Sequence, residues 1–373
     1  MTINVTRSSL PDLDEFINEI RDIWDSHWLT NMGEKHQALQ KALEEYWAVP
    51  HATLFTNGHL ALEAAVAALD KSGMPERPEI ITTPYTFAST THAIVRNGYI
   101  PVFADVNPQD YTIDVQQVEK RITERTVAIL PVHVYGHLCD VDALQALADR
   151  YHLHLIYDAA HAFGVSKTEG ILQGSSASFG EISMFSFHAT KVFHTIEGGA
   201  LAYHDPALVQ PLNDQKNFGV RGPECVASVG GNAKMSEFQA AMGLCNLRHL
   251  SDEIEKRRRV SAHYDERLGG RNGILLSKPQ KGVTSNYAYY PVVFDGYKES
   301  RDRIFEKLCE KDIVPRKYFY PLTNDFDCYR SLPTAGKEKT PIAAHVADRV
   351  LTLPLYADLG LDEVDRICDI ILQ

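Results

Sequence analysis

The stretch Met184-Phe-Ser-Phe-His-Ala-Thr-Lys-Val-Phe-His-Thr-Ile-Glu-Gly-Gly199 decides how this chain is read. Its apolar start belongs to a strand over residues 182–187, with Ser186 at the strand's end, and Lys191 follows in the loop beyond. Upstream, Leu155-Ile-Tyr-Asp-Ala-Ala-His-Ala-Phe-Gly164 has the same form. There an apolar strand ends in a carboxylate, Asp158, with His161 three residues further on. An amine, a hydroxyl and a carboxylate thus stand at strand ends, with lysine and aspartate 33 positions apart (191 − 158).

Working outward, further apolar runs at 53–55, 79–83, 100–104, 127–134, 152–157 and 200–203 read as strands. Helical patterns at 58–70 and 141–150 fall between them. This alternation predicts an α/β fold with a mostly parallel sheet covered on both faces. Such sheets bind ligands beyond the carboxyl ends of their strands. The segment 11–48 reads as helical, with Trp24 and Trp28 before a break at Thr30-Asn-Met-Gly33 and Leu39, Leu43 and Trp47 at helical spacing after it. After Gly231 the pattern changes. Residues 235–262 read as one long helix leading to a smaller α+β lobe, with a strand at 287–294 and helices near 299–311 and 361–372. The expected division is a large domain over 1–250 and a small one over 251–373.

The 373 residues are 44% hydrophobic and 23% charged, an ordinary globular composition. A net charge of −12 gives no bulk attraction for nucleic acid or an anionic membrane. The basic run Lys256-Arg-Arg-Arg259 follows Glu253 and Glu255 and reads as the charged face of a surface helix. Six cysteines without C-x-x-C spacing read as reduced thiols, and the amino terminus lacks the apolar core of a signal peptide. A cytoplasmic protein is expected.

Other positions admit two readings each. Asn57-Gly58-His59 opens a helix after a strand, which makes a phosphate seat or a plain turn. Phe87, in Thr83-Pro-Tyr-Thr-Phe-Ala88, is a stacking ring or a core aromatic. His161 flanks a cofactor or simply starts a helix. Asn232, on the glycine-flanked loop before Ser236, reaches another subunit or caps a turn. There is no G-x-G-x-x-G and no G-x-x-x-x-G-K-[ST], which removes the main support for dinucleotide and NTP sites.

Lysine, aspartate and phosphate seat together match what pyridoxal 5'-phosphate needs. The amine forms the Schiff base, and the carboxylate keeps the pyridine nitrogen protonated so that the ring accepts electrons. No metal is called for.

These stretches, together with Trp28-Leu-Thr-Asn-Met-Gly33, Glu197-Gly-Gly199 and Gly231-Asn-Ala-Lys-Met-Ser-Glu-Phe-Gln-Ala240, resemble the DegT/DnrJ/EryC1/StrS sugar-nucleotide aminotransferases of the fold-type I (aspartate aminotransferase-like) class. The resemblance covers nearly the whole chain. It implies that Lys191 carries the cofactor and shuttles protons, and that Asp158 binds the pyridine nitrogen. It implies phosphate contacts from Asn57, Gly58, His59 and Ser186, with Asn232 supplied by the neighbouring subunit of a homodimer. Phe87 would stack on the ring and His161 flank it. Trp28, Thr30, Tyr318 and Tyr320 would meet the sugar substrate. His59 departs from the small hydroxyl residue usual at its position, which leaves its N–H as the expected contact.

A related branch has histidine in place of the lysine and removes a hydroxyl instead of adding an amine; Lys191 favours amine transfer, although His188 is near. The expected reaction moves an amino group from L-glutamate to dTDP-4-keto-6-deoxyglucose, for a surface polysaccharide. The 3-keto isomer is the close alternative, and a non-catalytic cofactor-binding regulator the distant one.

Overall fold

The computed structural model describes residues 2–69 and 73–373. Seven strands form the central sheet: β1 (His51–Phe55), β2 (Glu79–Thr82), β3 (Ile100–Phe103), β4 (Thr126–Leu130), β5 (His154–Asp158), β6 (Ile182–Ser186) and β7 (Gly199–Tyr203). Their spatial order is β1-β7-β6-β5-β4-β2-β3. All neighbours pair in parallel except β7, which runs antiparallel to β1 and β6. The strands are almost wholly buried because both faces are covered. On one face Trp47 stacks on Phe185 at 4.7 Å, and Phe163 stacks on Phe193 at 4.3 Å. On the other, the helix Gly58–Ala67 packs Ala61, Leu62, Ala65 and Val66 against β6 and β7.

That helix ends at Ala67, and its expected end at residue 70 lies outside the described residues. Two readings of the sequence need correction. The run 127–134 ends as a regular strand at Leu130, Val132 makes one further parallel pairing with Asp158, and the chain then turns through a 3-10 segment, Val134–Gly136, with Tyr135 at φ 59°. The turn puts backbone N–H groups against the end of β5: His133 N–H donates to the Asp158 carbonyl at 3.0 Å. The region 235–262 is two helices, Glu237–Arg248 and Leu250–Leu268, parted at His249. Neither glycine nor proline marks that break, so periodicity ran across it.

In the basic run, Arg258 and Arg259 pair with Glu255 on the surface. Arg257 instead turns inward, 1% exposed, and bonds Glu253 and the Leu355 carbonyl. A separate apolar cluster joins Val260, Tyr264 and Leu268 to Tyr290, Val292, Leu351 and Ile367. Ile3 belongs to this cluster, because Ile3–Asn4 pairs in parallel with Ile313–Val314. The expected carboxyl-terminal helix is present at Leu361–Leu372.

Candidate active site

Because β5 and β6 are adjacent and in register, with Asp158 beside Met184, their carboxyl ends open into one cleft. The cleft holds about 750 Å³ and is lined by Asn57, Gly58, His59, Phe87, Asp158, His161, Ser186, Lys191 and Tyr318 among others. Nine of the thirteen candidate site residues therefore meet in one place.

Asp158 is 4% exposed. Thr90 donates to its Oδ2 at 2.8 Å and the Ala160 N–H to its Oδ1 at 3.1 Å. Burial pushes the carboxyl above its ordinary value, opposed by those two donors and by the charge of Lys191. No arginine, lysine or histidine pairs with this carboxylate among the described residues. His161 is held well below its usual range by burial and then by Lys191, so it is neutral. Its Nδ1 accepts from the Tyr135 N–H at 3.1 Å, which leaves the proton on Nε2. Its ring lies parallel to Phe319 at 5.8 Å.

Asn57 caps the helix Gly58–Ala67, accepting from the Leu60 N–H at 2.9 Å. The N–H groups of Gly58 and His59 in the first turn have no intrahelical partner and face the positive end of the helix dipole. A Cβ on Gly58 would stand 2.7 Å from the Cβ of Ser186. Backbone and serine thus approach as closely as they can at a helix start, and the Ser186 hydroxyl has no protein partner among the described residues. This arrangement fits a phosphate. Phe87 is 61% exposed and opens onto the cleft, unlike a core aromatic. His59 turns its ring away, Nδ1 toward the Ser89 hydroxyl (2.9 Å) and Nε2 toward Glu63 (3.2 Å), which leaves its backbone N–H toward the helix start. His188 sits at the rim, engaged with Thr190 and Glu197.

Four candidates do not enter the cleft of a single chain. Trp28 is 43% exposed, and Thr30 lies in the exposed turn before the helix Glu34–Trp47. Tyr320 is half-exposed beneath the Arg301 guanidinium. Asn232 accepts from Lys234 at 2.7 Å on an exposed loop. Sequence reasoning missed Thr90, Ser89, Tyr289 and Arg316. From the segment that holds Arg316, the resemblance names only Tyr318 and Tyr320. Arg316 lines the cleft and has no carboxylate partner among the described residues.

Lys191, a buried carboxylate without a cation, and an anion seat at a helix start define the pocket of a fold-type I pyridoxal phosphate enzyme. The chain belongs to the DegT/DnrJ/EryC1/StrS aminotransferase family, which it matches over residues 12–372, and it is a pyridoxal phosphate-dependent aminotransferase. It is 41% identical to the dTDP-4-amino-4,6-dideoxy-D-glucose transaminase of Escherichia coli, covering 100% of this chain and 98% of that one. The protein of the same name from Shigella dysenteriae is 40% identical at the same coverage. Among solved structures, DesI in the presence of its TDP-sugar product superposes with a TM-score of 0.91 at 33% identity, over 99% of this chain and 92% of that one. Helicobacter pylori PseC, an aminotransferase of pseudaminic acid biosynthesis, gives 0.90 at 27% identity over 100% and 98%.

A methyl group at Gly58 is expected to weaken cofactor retention. In Gly58→Ala the new Cβ overlaps Ser186, a clash that costs about 1–3 kcal/mol or moves the serine. Dialysis against buffer followed by absorbance of the retained cofactor checks this.

Proposed function

We propose that this enzyme transfers the amino group of L-glutamate to dTDP-4-keto-6-deoxy-D-glucose, giving dTDP-4-amino-4,6-dideoxy-D-glucose. The observation that carries this reading is the end-to-end similarity, at 41% identity, to a transaminase named for that product. We place the reaction in the cytoplasm, in keeping with six unpaired cysteines, and as a step toward a surface polysaccharide, as the resemblance implies.

When bound, pyridoxal phosphate supplies the electron sink and carries the amino group between the two substrates. The protein does the rest. The N–H groups of Gly58 and His59 and the Ser186 hydroxyl bind the phosphate. Asp158 would hold the group's ring nitrogen, and its buried setting would strengthen a charge pair with a proton kept there. His161, kept neutral, flanks the ring without opposing its positive charge. Phe87 covers ring surface and excludes water. Lys191 Nζ would be the point of attachment for that group, and as a free amine it would carry a proton away from the donor's α-carbon and, in the return half, back to the sugar side. Arg316 attracts the anionic groups of both substrates.

Asn232 completes the phosphate site of a second copy in a homodimer. Phe218 and Val229, exposed on the loops around it, supply apolar surface for that contact.

The test incubates the protein with pyridoxal phosphate, L-glutamate and either dTDP-4-keto-6-deoxyglucose or its 3-keto isomer, and locates the new amine by mass and NMR. An amine at C4 is the expected product. An amine at C3 alone, or no amine from either sugar, overturns the substrate assignment.

A further inference from the structure

We propose that Tyr289 is a positioning residue for transamination. Its hydroxyl holds the free Lys191 amine so that the nitrogen lone pair stays directed at the carbon that gives up its proton. This rests on Lys191 acting as proposed above. Lys191 Nζ donates to the Tyr289 hydroxyl at 3.2 Å, and no other described residue hydrogen-bonds that amine. The nitrogen lies 5.7 Å from the tyrosine ring centre, and that ring stands 4.6 Å from His161. Tyr289 lines the same cleft as Asp158 and Ser186.

The tyrosine is itself held. Asn286, 1% exposed, donates to the carbonyls of His161 and Phe163 at 2.8 and 2.9 Å and accepts from the Ala288 N–H at 3.1 Å. Tyr287 takes a left-handed turn at φ 51°, and the strand Tyr290–Phe294 begins at the next residue after Tyr289. The segment 286–289 is thereby tied to the turn that follows Asp158.

A neutral lysine amine has two N–H bonds and one lone pair. An N–H given to a hydroxyl oxygen fixes the rotation of Nζ without consuming the lone pair. After proton uptake the ammonium keeps the same bond, so the amine does not swing away between accepting and returning the proton. A lysine stem is long and flexible, and an unheld amine spends most of its time misdirected.

Tyr289→Phe keeps the ring and removes only the hydroxyl. Turnover is expected to fall about 10- to 100-fold, with the KM for glutamate shifting less than about threefold. The primary isotope effect with α-deuterated glutamate should rise, because proton transfer becomes more rate-limiting. In cofactor-free protein, Lys191 should react faster with an amine-directed label, read by peptide mass spectrometry, because the tether is gone. In a Lys191→Ala background rescued by methylamine, adding Tyr289→Phe should cost nothing further.

The proposal is overturned if Tyr289→Phe turns over within about twofold of wild type, or if its penalty persists in the rescued background. It is equally overturned if only Tyr289→Leu is impaired, since that assigns the role to ring packing on His161. An active Lys191→Ala protein without added amine would instead sink the reading on which this rests.

Discussion

Lys191→Ala is expected to lose at least about 10⁴-fold in amine transfer while the protein stays folded. Two contributions vanish together, the covalent attachment and the proton transfer, and the second alone is worth about 10²- to 10⁴-fold. Folding should survive because the side chain sits in a cleft and makes one hydrogen bond, to Tyr289, with no ion pair among the described residues. The two half-reactions separate the contributions. Mixing the variant with pyridoxamine phosphate and keto sugar bypasses attachment, and what remains slow is proton movement. Measured turnover within tenfold of wild type, in the absence of added amine, would dismiss the lysine from the mechanism.

Asp158→Asn is expected to slow turnover by about 10²- to 10³-fold and to loosen cofactor binding, because a neutral amide no longer holds the ring-nitrogen proton by charge. Its effect on the cofactor-free protein has the opposite sign. Burial raises the Asp158 carboxyl in the folded state above its ordinary value of 3.8. A carboxyl raised in this way favours folding in its protonated form, and that advantage is lost as pH rises through the folded-state pKa. At neutral pH the empty wild-type site therefore carries an unfavourable buried charge that the asparagine variant lacks. Cofactor-free Asp158→Asn should melt above cofactor-free wild type at pH 7, with the gap closing toward pH 4. Cofactor added in excess should reverse the order. Thermal melts of both proteins at two pH values, with and without cofactor, give four differences, and a variant less stable than wild type in every one would refute the electrostatic account.

The sheet and the placement of Asp158 and Lys191 on one cleft are legible because apolar runs of strand length precede them, and ligands in such folds bind beyond strand ends. Phe87 is ambiguous in the sequence because an aromatic after a strand is more often core; its exposure on the cleft excludes the core reading. Thr90, Tyr289 and Arg316 escaped notice for a different reason. Thr90 meets Asp158 across 68 residues of sequence, and Tyr289 meets Lys191 across 98. Nothing local distinguishes a threonine inside a helix from one that bonds a buried carboxylate. The break at His249 was invisible because both flanking helices are well formed and no glycine or proline parts them. Trp28, Thr30, Tyr320 and Asn232 rest on the resemblance and stand outside the cleft of one chain.

The spacing between Asp158 and Lys191 is metered by the sheet, since β5 and β6 lie side by side in register. The chain between those strands makes a long excursion, with residues 168–171 exposed at its tip and Ile171 89% exposed. Its length is therefore decoupled from the chemistry. Relatives with longer or shorter excursions can keep the same reacting pair, and the tip offers a place to graft a peptide, a reporter or new chain termini without retuning the enzyme.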